Sequence, residues 1–320
     1  MKSIHPSKFT ELAVQRTPGD YLRLGLKGLA MGAADVVPGV SGGTVAFITG
    51  IYSELLATLS GFRLDLLKTL RTDGVAAAWR AANLNFLFTL LTGIAIAILS
   101  LANLLTYLLQ HYEPLVWGFF FGLVGASVVA VGRDVKRWHM STILAFAIGA
   151  AIALWVTSLP PMAALNFPGF LFVAGMIAIC AMILPGISGS FLLLILGAYH
   201  DVLNAVKTLD VKSIVVFGAG CVTGILGFSR LLNWMYNKHT DLTVSLLTGF
   251  MLGSLQKLWP WQQKVELLHT HSDGREDWLR GNVLPTAFDG EPRTAAVIAC
   301  TMAGALLIFA VMRIAKRQTT

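Results

Sequence analysis

The 320 residues are 55% hydrophobic and 13% charged, with a mean hydropathy of +0.69, against about 25% charged for an average soluble domain. This excludes a soluble globular domain, and the net charge of +7 does not mark a nucleic-acid binder, because the basic residues are separated by long uncharged runs rather than gathered on one surface. Cys180, Cys221 and Cys300 each stand alone in apolar sequence without CxxC spacing, so neither a disulfide framework nor a zinc site is expected.

The N-terminal segment is polar and lacks the apolar run and cleavage site of a signal peptide; Phe9 and Leu12 among Lys8 and Arg16 suit a segment lying on the inner membrane surface. The apolar region 21–59 is interrupted by Pro38-Gly39-Val40-Ser41-Gly42-Gly43 and resumes from Thr44 to Leu59. Pro followed by Gly removes a donor and frees the backbone, so the helix should break there. Arg16, Arg23 and Lys27 precede the break and Arg63, Lys68, Arg71 and Arg80 follow its second arm. Lys and Arg accumulate on cytoplasmic loops, so both ends read as cytoplasmic and the element as a re-entrant hairpin. An amphipathic basic stretch covers 62–80.

Three spans follow at 84–109, 113–132 and 141–158, each near the ~17–25 apolar residues that cross a bilayer. Arg133, Lys136 and Arg137 lie between the last two, whereas 110–113 and 158–168 carry no Lys or Arg. A second interrupted region, 170–206, breaks at Pro185-Gly186-Ile187-Ser188-Gly189-Ser190 and reads as a hairpin entering from outside. Spans at 213–236, 242–260 and 294–313 complete the set, with Lys238 inside, a net acidic loop 261–292 outside, and Arg313, Lys316 and Arg317 inside. Both termini are therefore expected in the cytoplasm. Gly118 and Gly122 suit close helix packing, and Trp259 and Trp261 an interfacial belt. His269, His271 and Asp273 read as a solvated loop rather than a metal site.

The two breaks share one pattern at a constant shift of 147 residues, the separation of Pro38 from Pro185, which also relates Ser41 to Ser188, Gly50 to Gly197 and Tyr52 to Tyr199. Further along, the shift becomes 131, joining Thr92-Gly93-Ile94 to Thr223-Gly224-Ile225. The expected fold class is thus an all-α polytopic membrane protein forming one domain, with repeats over 20–158 and 168–313, each a re-entrant hairpin plus three spans. An odd number of crossings inverts the second repeat, as in secondary transporters.

Non-helical backbone at membrane depth is tolerated where it is buried in protein or lines a wet cavity. After Pro38-Gly39 and Pro185-Gly186 the second arms begin, so their free amides and positive dipole ends point inward and favour an anion. Ser41, Gly42, Gly43 and Thr44, with Ser188, Gly189 and Ser190, form two such nests, although the hydroxyls also suit capping of their own helices. Asp35, near the deepest point, is a candidate for coupling to a proton or sodium ion or for a buried hydrogen-bond anchor. Arg230 either snorkels to the surface or turns inward to neutralise the ligand. Glu54 and Asp201 are expected as solvated anchors at opposite surfaces, beside Tyr52 and Tyr199 as interfacial aromatics.

The segments Ala34-Asp35-Val36-Val37-Pro38-Gly39-Val40-Ser41-Gly42-Gly43-Thr44 with Gly50-Ile51-Tyr52, and Leu184-Pro185-Gly186-Ile187-Ser188-Gly189-Ser190 with Gly197-Ala198-Tyr199, resemble those of the bacterial polyprenyl-phosphate (undecaprenyl-phosphate) translocases, the PopT family, long catalogued as a domain of unknown function. The resemblance covers nearly the whole chain. It implies import of undecaprenyl phosphate, the carrier lipid of cell-wall synthesis, from the outer to the inner leaflet of the bacterial cytoplasmic membrane, with the lipid and the bilayer as partners, no nucleic acid and no cofactor. Two rival classes stand beside it. Membrane lipid-diphosphate phosphatases share a related plan, but Gly42 and Gly189 stand where their loops carry Arg. A transporter of a soluble anion is the other.

Overall fold

The computed structural model describes residues 16–36, 40–160, 167–270 and 276–317. The helix-breaking Pro38 and Gly39, the surface segment with Phe9 and Leu12, and His271 and Asp273 lie outside these ranges.

Helix α1 (Pro18–Val36) starts where Thr17 and Asp20 cap each other: the Thr17 hydroxyl and amide donate to the Asp20 carboxylate at 2.7 and 3.0 Å. Pro18 occupies a first-turn position, where no amide donor is needed. The Thr17 hydroxyl, then its amide, hold the Asp20 carboxyl below its ordinary range. Helix α2 (Gly42–Ile48) doubles back along α1. At one end Asp35 accepts from the Gly42 amide (2.6 Å), and at the other Lys27 donates to the Thr49 carbonyl (2.8 Å).

The chain then turns through 116° into α3 (Tyr52–Ser60). The uninterrupted second arm expected from Thr44 to Leu59 is thereby corrected. Gly50 has φ +74, its amide bonds to Phe47 O, and that of Ile51 bonds to Ala46 O. This is the Schellman closure, which ends a helix at a left-handed glycine. The second region repeats the device. Helix α9 (Phe170–Ile183) leads to α10 (Gly189–Ile195), which ends at Gly197 (φ +71) and turns through 109° into α11 (Tyr199–Lys207).

Between α3 and the spans lie two short helices, α4 (Asp65–Thr72) and α5 (Val75–Ala81), with Leu64, Leu67 and Val75 exposed, as the amphipathic basic stretch anticipates. Among the described residues, five helices are long and apolar enough to cross a membrane: α6 (Leu84–His111), α7 (Glu113–Gly132), α8 (Met140–Ser158), α12 (Val211–Lys238) and α14 (Thr294–Arg317). The expected span 242–260 is corrected. Its α-helix, α13, covers Thr240–Ser254 and passes into a 3-10 turn, Leu255–Leu258. Pro260 accounts for the stop, since the residue before proline is driven out of the helical region; Trp259 is extended at φ −56, ψ 129.

The helices pack in pairs, α1 on α6, α9 on α12, α7 on α14 and α8 on α13. Small residues permit the close approach: a Cβ on Gly122 of α7 would meet the Thr301 carbonyl of α14, and one on Gly249 of α13 the Phe146 carbonyl of α8. Phe86, Leu90, Val124, Leu247 and Met251 form the fully buried centre. Ile96 and Leu99 of α6, Ile143 and Ile148 of α8, and Leu306 of α14 are exposed, as side chains facing lipid would be.

The all-α expectation needs one addition. Within 261–292, strands β1 (Gln262–Thr270) and β2 (Glu276–Asn282) pair antiparallel, with Lys264 opposite Arg280. The hairpin is tied down by an Arg280–Glu113 ion pair and by indole hydrogen bonds from Trp259 to Val283 O (2.8 Å) and from Trp261 to Pro292 O (2.9 Å). Trp261 is only 6% exposed, so these indoles clamp the hairpin instead of forming a belt.

Candidate functional site: the meeting of two broken helices

The first turn of α2 shows how one motif is built. Ser41 is extended (φ −121, ψ 129), and its Oγ accepts from the Gly43 amide at 3.1 Å. The Thr44 amide donates to Ser41 O at 3.0 Å, and the Gly42 amide donates to Asp35. Three of the four amides that a helix start leaves open are therefore satisfied locally. In the second motif Leu184 is extended and Gly186 has φ +91, and a Cβ on Gly186 would press on Ser254 Oγ at 2.8 Å.

The two motifs touch. The Ser41 hydroxyl donates to Leu184 O (3.1 Å), and the Gly186 amide donates to Thr44 Oγ1 (2.9 Å). Glycine at 43 makes this possible, because a Cβ there would lie 2.8 Å from Ile183 O and 3.1 Å from Met182 O. Ser41 and Thr44 are 1% and 0% exposed. Their hydroxyls hold one loop to the other in this conformation, and a ligand reaching either must part that seam.

The second motif is not a copy of the first. Ser188 precedes α10 without capping it through its side chain. Its Oγ lies 2.9 Å from Ser190 Oγ instead, and Ser190 is exposed while Ser188 is buried. No acid stands at the position matching Asp35, where Met182 is found. The start of α10 is thus the more open of the two nests, with hydroxyl donors and no carboxylate to repel an anion.

Several expected residues lie elsewhere. Arg230 is exposed and donates to Phe62 O at 2.7 Å, beyond the end of α3, so it does not join the loops. Glu54 is no solvated anchor: it pairs with Arg16 and accepts from Asn83 Nδ2 at 2.9 Å. Tyr52 is 2% exposed and its hydroxyl has no hydrogen-bond partner among the described residues, contrary to an interfacial place; the bend at Gly50 turns both residues inward. Asp201 is exposed, as expected. Among the described residues, no group of three His, Cys, Asp or Glu side chains is arranged to hold a metal ion.

One cation near the loops was not anticipated. Lys257, in the 3-10 turn after α13, places its Nζ 4.7 Å from the centre of the Phe191 ring in the first turn of α10. The available signal was that it is the single charged residue in 242–260.

The profile of the family described as undecaprenyl phosphate translocase-like matches residues 31–276, which include both motifs. The chain is 44% identical over 270 residues, 84% of its length and 88% of the relative's, to a protein of Vibrio cholerae serotype O1 named polyprenyl-phosphate transporter. It is 32% identical to a Staphylococcus aureus protein of the same name, covering 73% of this chain and 85% of the relative. No solved structure matches. With its apolar helices and these similarities, this multi-pass membrane protein belongs to the undecaprenyl phosphate translocase-like family.

Proposed function

We propose that the protein carries a polyprenyl phosphate, undecaprenyl phosphate, from the outer to the inner leaflet of the bacterial cytoplasmic membrane, so that the carrier lipid is reused. The observation that carries this is the pair of cross-motif hydrogen bonds, Ser41 to Leu184 O and Gly186 to Thr44 Oγ1. Two helix starts from opposite halves of the sequence share one closed seam. Matched lengths support an inverted repeat with re-entrant hairpins: α2 and α10 have 7 residues each, α3 and α11 have 9, and α6 and α12 have 28. In this reading the phosphate first engages Ser188 and Ser190 at the start of α10. It reaches Ser41, Gly42, Gly43 and Thr44 as the seam parts, while the prenyl tail stays in lipid.

Moving each negative charge to a negative interior costs about 2.3 kcal/mol per 100 mV, so a cation should accompany it. Asp35 is the intramembrane acid available, and its bond to the Gly42 amide also makes it the anchor of α2. Asn in its place keeps an acceptor but loses the charge. Unchanged proton and sodium dependence in Asp35→Asn would leave only the anchor role.

The deciding experiment is leaflet-resolved movement of undecaprenyl phosphate in proteoliposomes. Wild type should accelerate inward movement, and Ser188→Ala and Thr44→Val should slow it by at least about tenfold, the scale of one lost hydrogen bond to a charged group. Uptake of water-soluble phosphate without lipid movement would favour the soluble-anion class. Release of phosphate from a prenyl diphosphate by the pure protein would favour a phosphatase.

A further inference from the structure

We propose that Lys257 is the cation that receives the ligand's phosphate at the first turn of α10; this assignment rests on the polyprenyl-phosphate reading above. The geometry is that of a bracket. A Cβ on Gly186 would meet Ser254 Oγ at the end of α13, and Lys257, three residues on, overlies Phe191. The α13 end therefore meets the chain at Gly186 and at Phe191, on either side of Ser188, Gly189 and the exposed Ser190 in sequence.

The ammonium has no carboxylate partner among the described residues. Among the described residues Arg16 pairs with Glu54, Lys68 with Asp65, Arg280 with Glu113 and Arg293 with Glu291, and Lys27 donates to a carbonyl. Lys257 is partly buried, and its ammonium faces the Phe191 ring. A cation withdrawn from water without a carboxylate is costly unless an anion arrives, and a ring face offers it only weak compensation. Set against Phe191, the residue that follows Ser190, it would complete a site for a phosphate monoester: one point charge together with directional O–H donors. A flexible ammonium suits a ligand that must later leave, since it holds phosphate as a point charge rather than through a rigid bidentate fork. On the expected topology it lies on the outer side of the second motif, four residues before the Trp261 clamp of the outer hairpin.

The test is equilibrium binding to the full chain in lipid nanodiscs, with undecaprenyl phosphate, undecaprenol and inorganic phosphate as probes. Wild type should bind the phosphate ester in preference to the alcohol. Lys257→Gln should weaken ester binding by at least about tenfold, and Lys257→Arg should stay within about threefold, since it keeps the charge. Lys257→His adds a readout that a packing role would not move: relative to wild type at the same pH, it should bind near pH 5.5 and fail near pH 8, on either side of the ordinary histidine value of about 6.5. It also stands in should Lys257→Gln not fold. Lys257→Gln binding as wild type does, or a pH-independent ratio for Lys257→His, would overturn the lysine assignment and leave the transport reading standing. A wild type that does not distinguish ester from alcohol would overturn both. Competition by millimolar inorganic phosphate that depends on Lys257 would support the lysine as a phosphate ligand and assign the site to the free ion rather than the lipid.

Discussion

Thr44 is the residue on which the contact between the motifs most depends, because its hydroxyl is the acceptor for the buried Gly186 amide. Thr44→Val keeps the shape and strands that amide, so it should destabilise the protein by about 1–3 kcal/mol, whereas Thr44→Ser should restore most of the loss. Thermal unfolding in detergent measures both; equal melting of Val and wild type would mean that the bond contributes nothing. Gly43→Ala should cost about 1–3 kcal/mol through overpacking, because its neighbours are the backbone carbonyls of Ile183 and Met182, which cannot swing away. The Ser and Gly positions were legible in the sequence because a doubled motif repeats them. Their present partners were not, since Ser41 and Leu184 are 143 residues apart and no local rule links them.

At the scale of elements, the helix starts behave as their sequences dictate. Thr17 lowers the Asp20 carboxyl below its ordinary range, so the charged cap stabilises the fold above the ordinary carboxylate pKa, and that contribution disappears as pH falls through the lowered value. Thr17→Ala should therefore melt earlier than wild type near pH 7 and converge with it in strong acid; a constant gap across that range would show that the cap is not charge-dependent. The bends at Gly50 and Gly197 were present in the aligned motifs, yet their left-handed closure was hidden by apolar residues on both sides. Apolar periodicity records which side chains leave water, not where backbone direction changes. The same reason explains the shortened α13, whose apolar run continues past its last α-helical residue, and the unexpected β-hairpin, whose strands alternate only loosely and carry register shifts. Gly122→Ala and Gly249→Ala should each loosen one helix pair, lowering stability by about 1–3 kcal/mol, because the added methyl meets a carbonyl of the facing helix.

For the whole molecule, the topology proposal makes a prediction of sidedness. In a background lacking Cys180, Cys221 and Cys300, single cysteines at Asp289 and in 110–112 should react with an impermeant reagent from outside. Cysteines at Thr72, Lys136 and Thr17 should react only after permeabilisation. Labelling of Thr17 and Thr72 from opposite sides would dismiss the first re-entrant hairpin. The sequence by itself determined that this chain lives in a bilayer, where its interrupted helices lie and that the interruptions are paired, because hydropathy, proline chemistry and charge bias are local properties of the chain. Only the tertiary structure decided that the two interruptions bond to each other, that Arg230 lies away from them and that Lys257 lies beside them. Those outcomes depend on how helices distant in sequence close upon one another, and that closing is set by packing between surfaces rather than by the order of residues within either one.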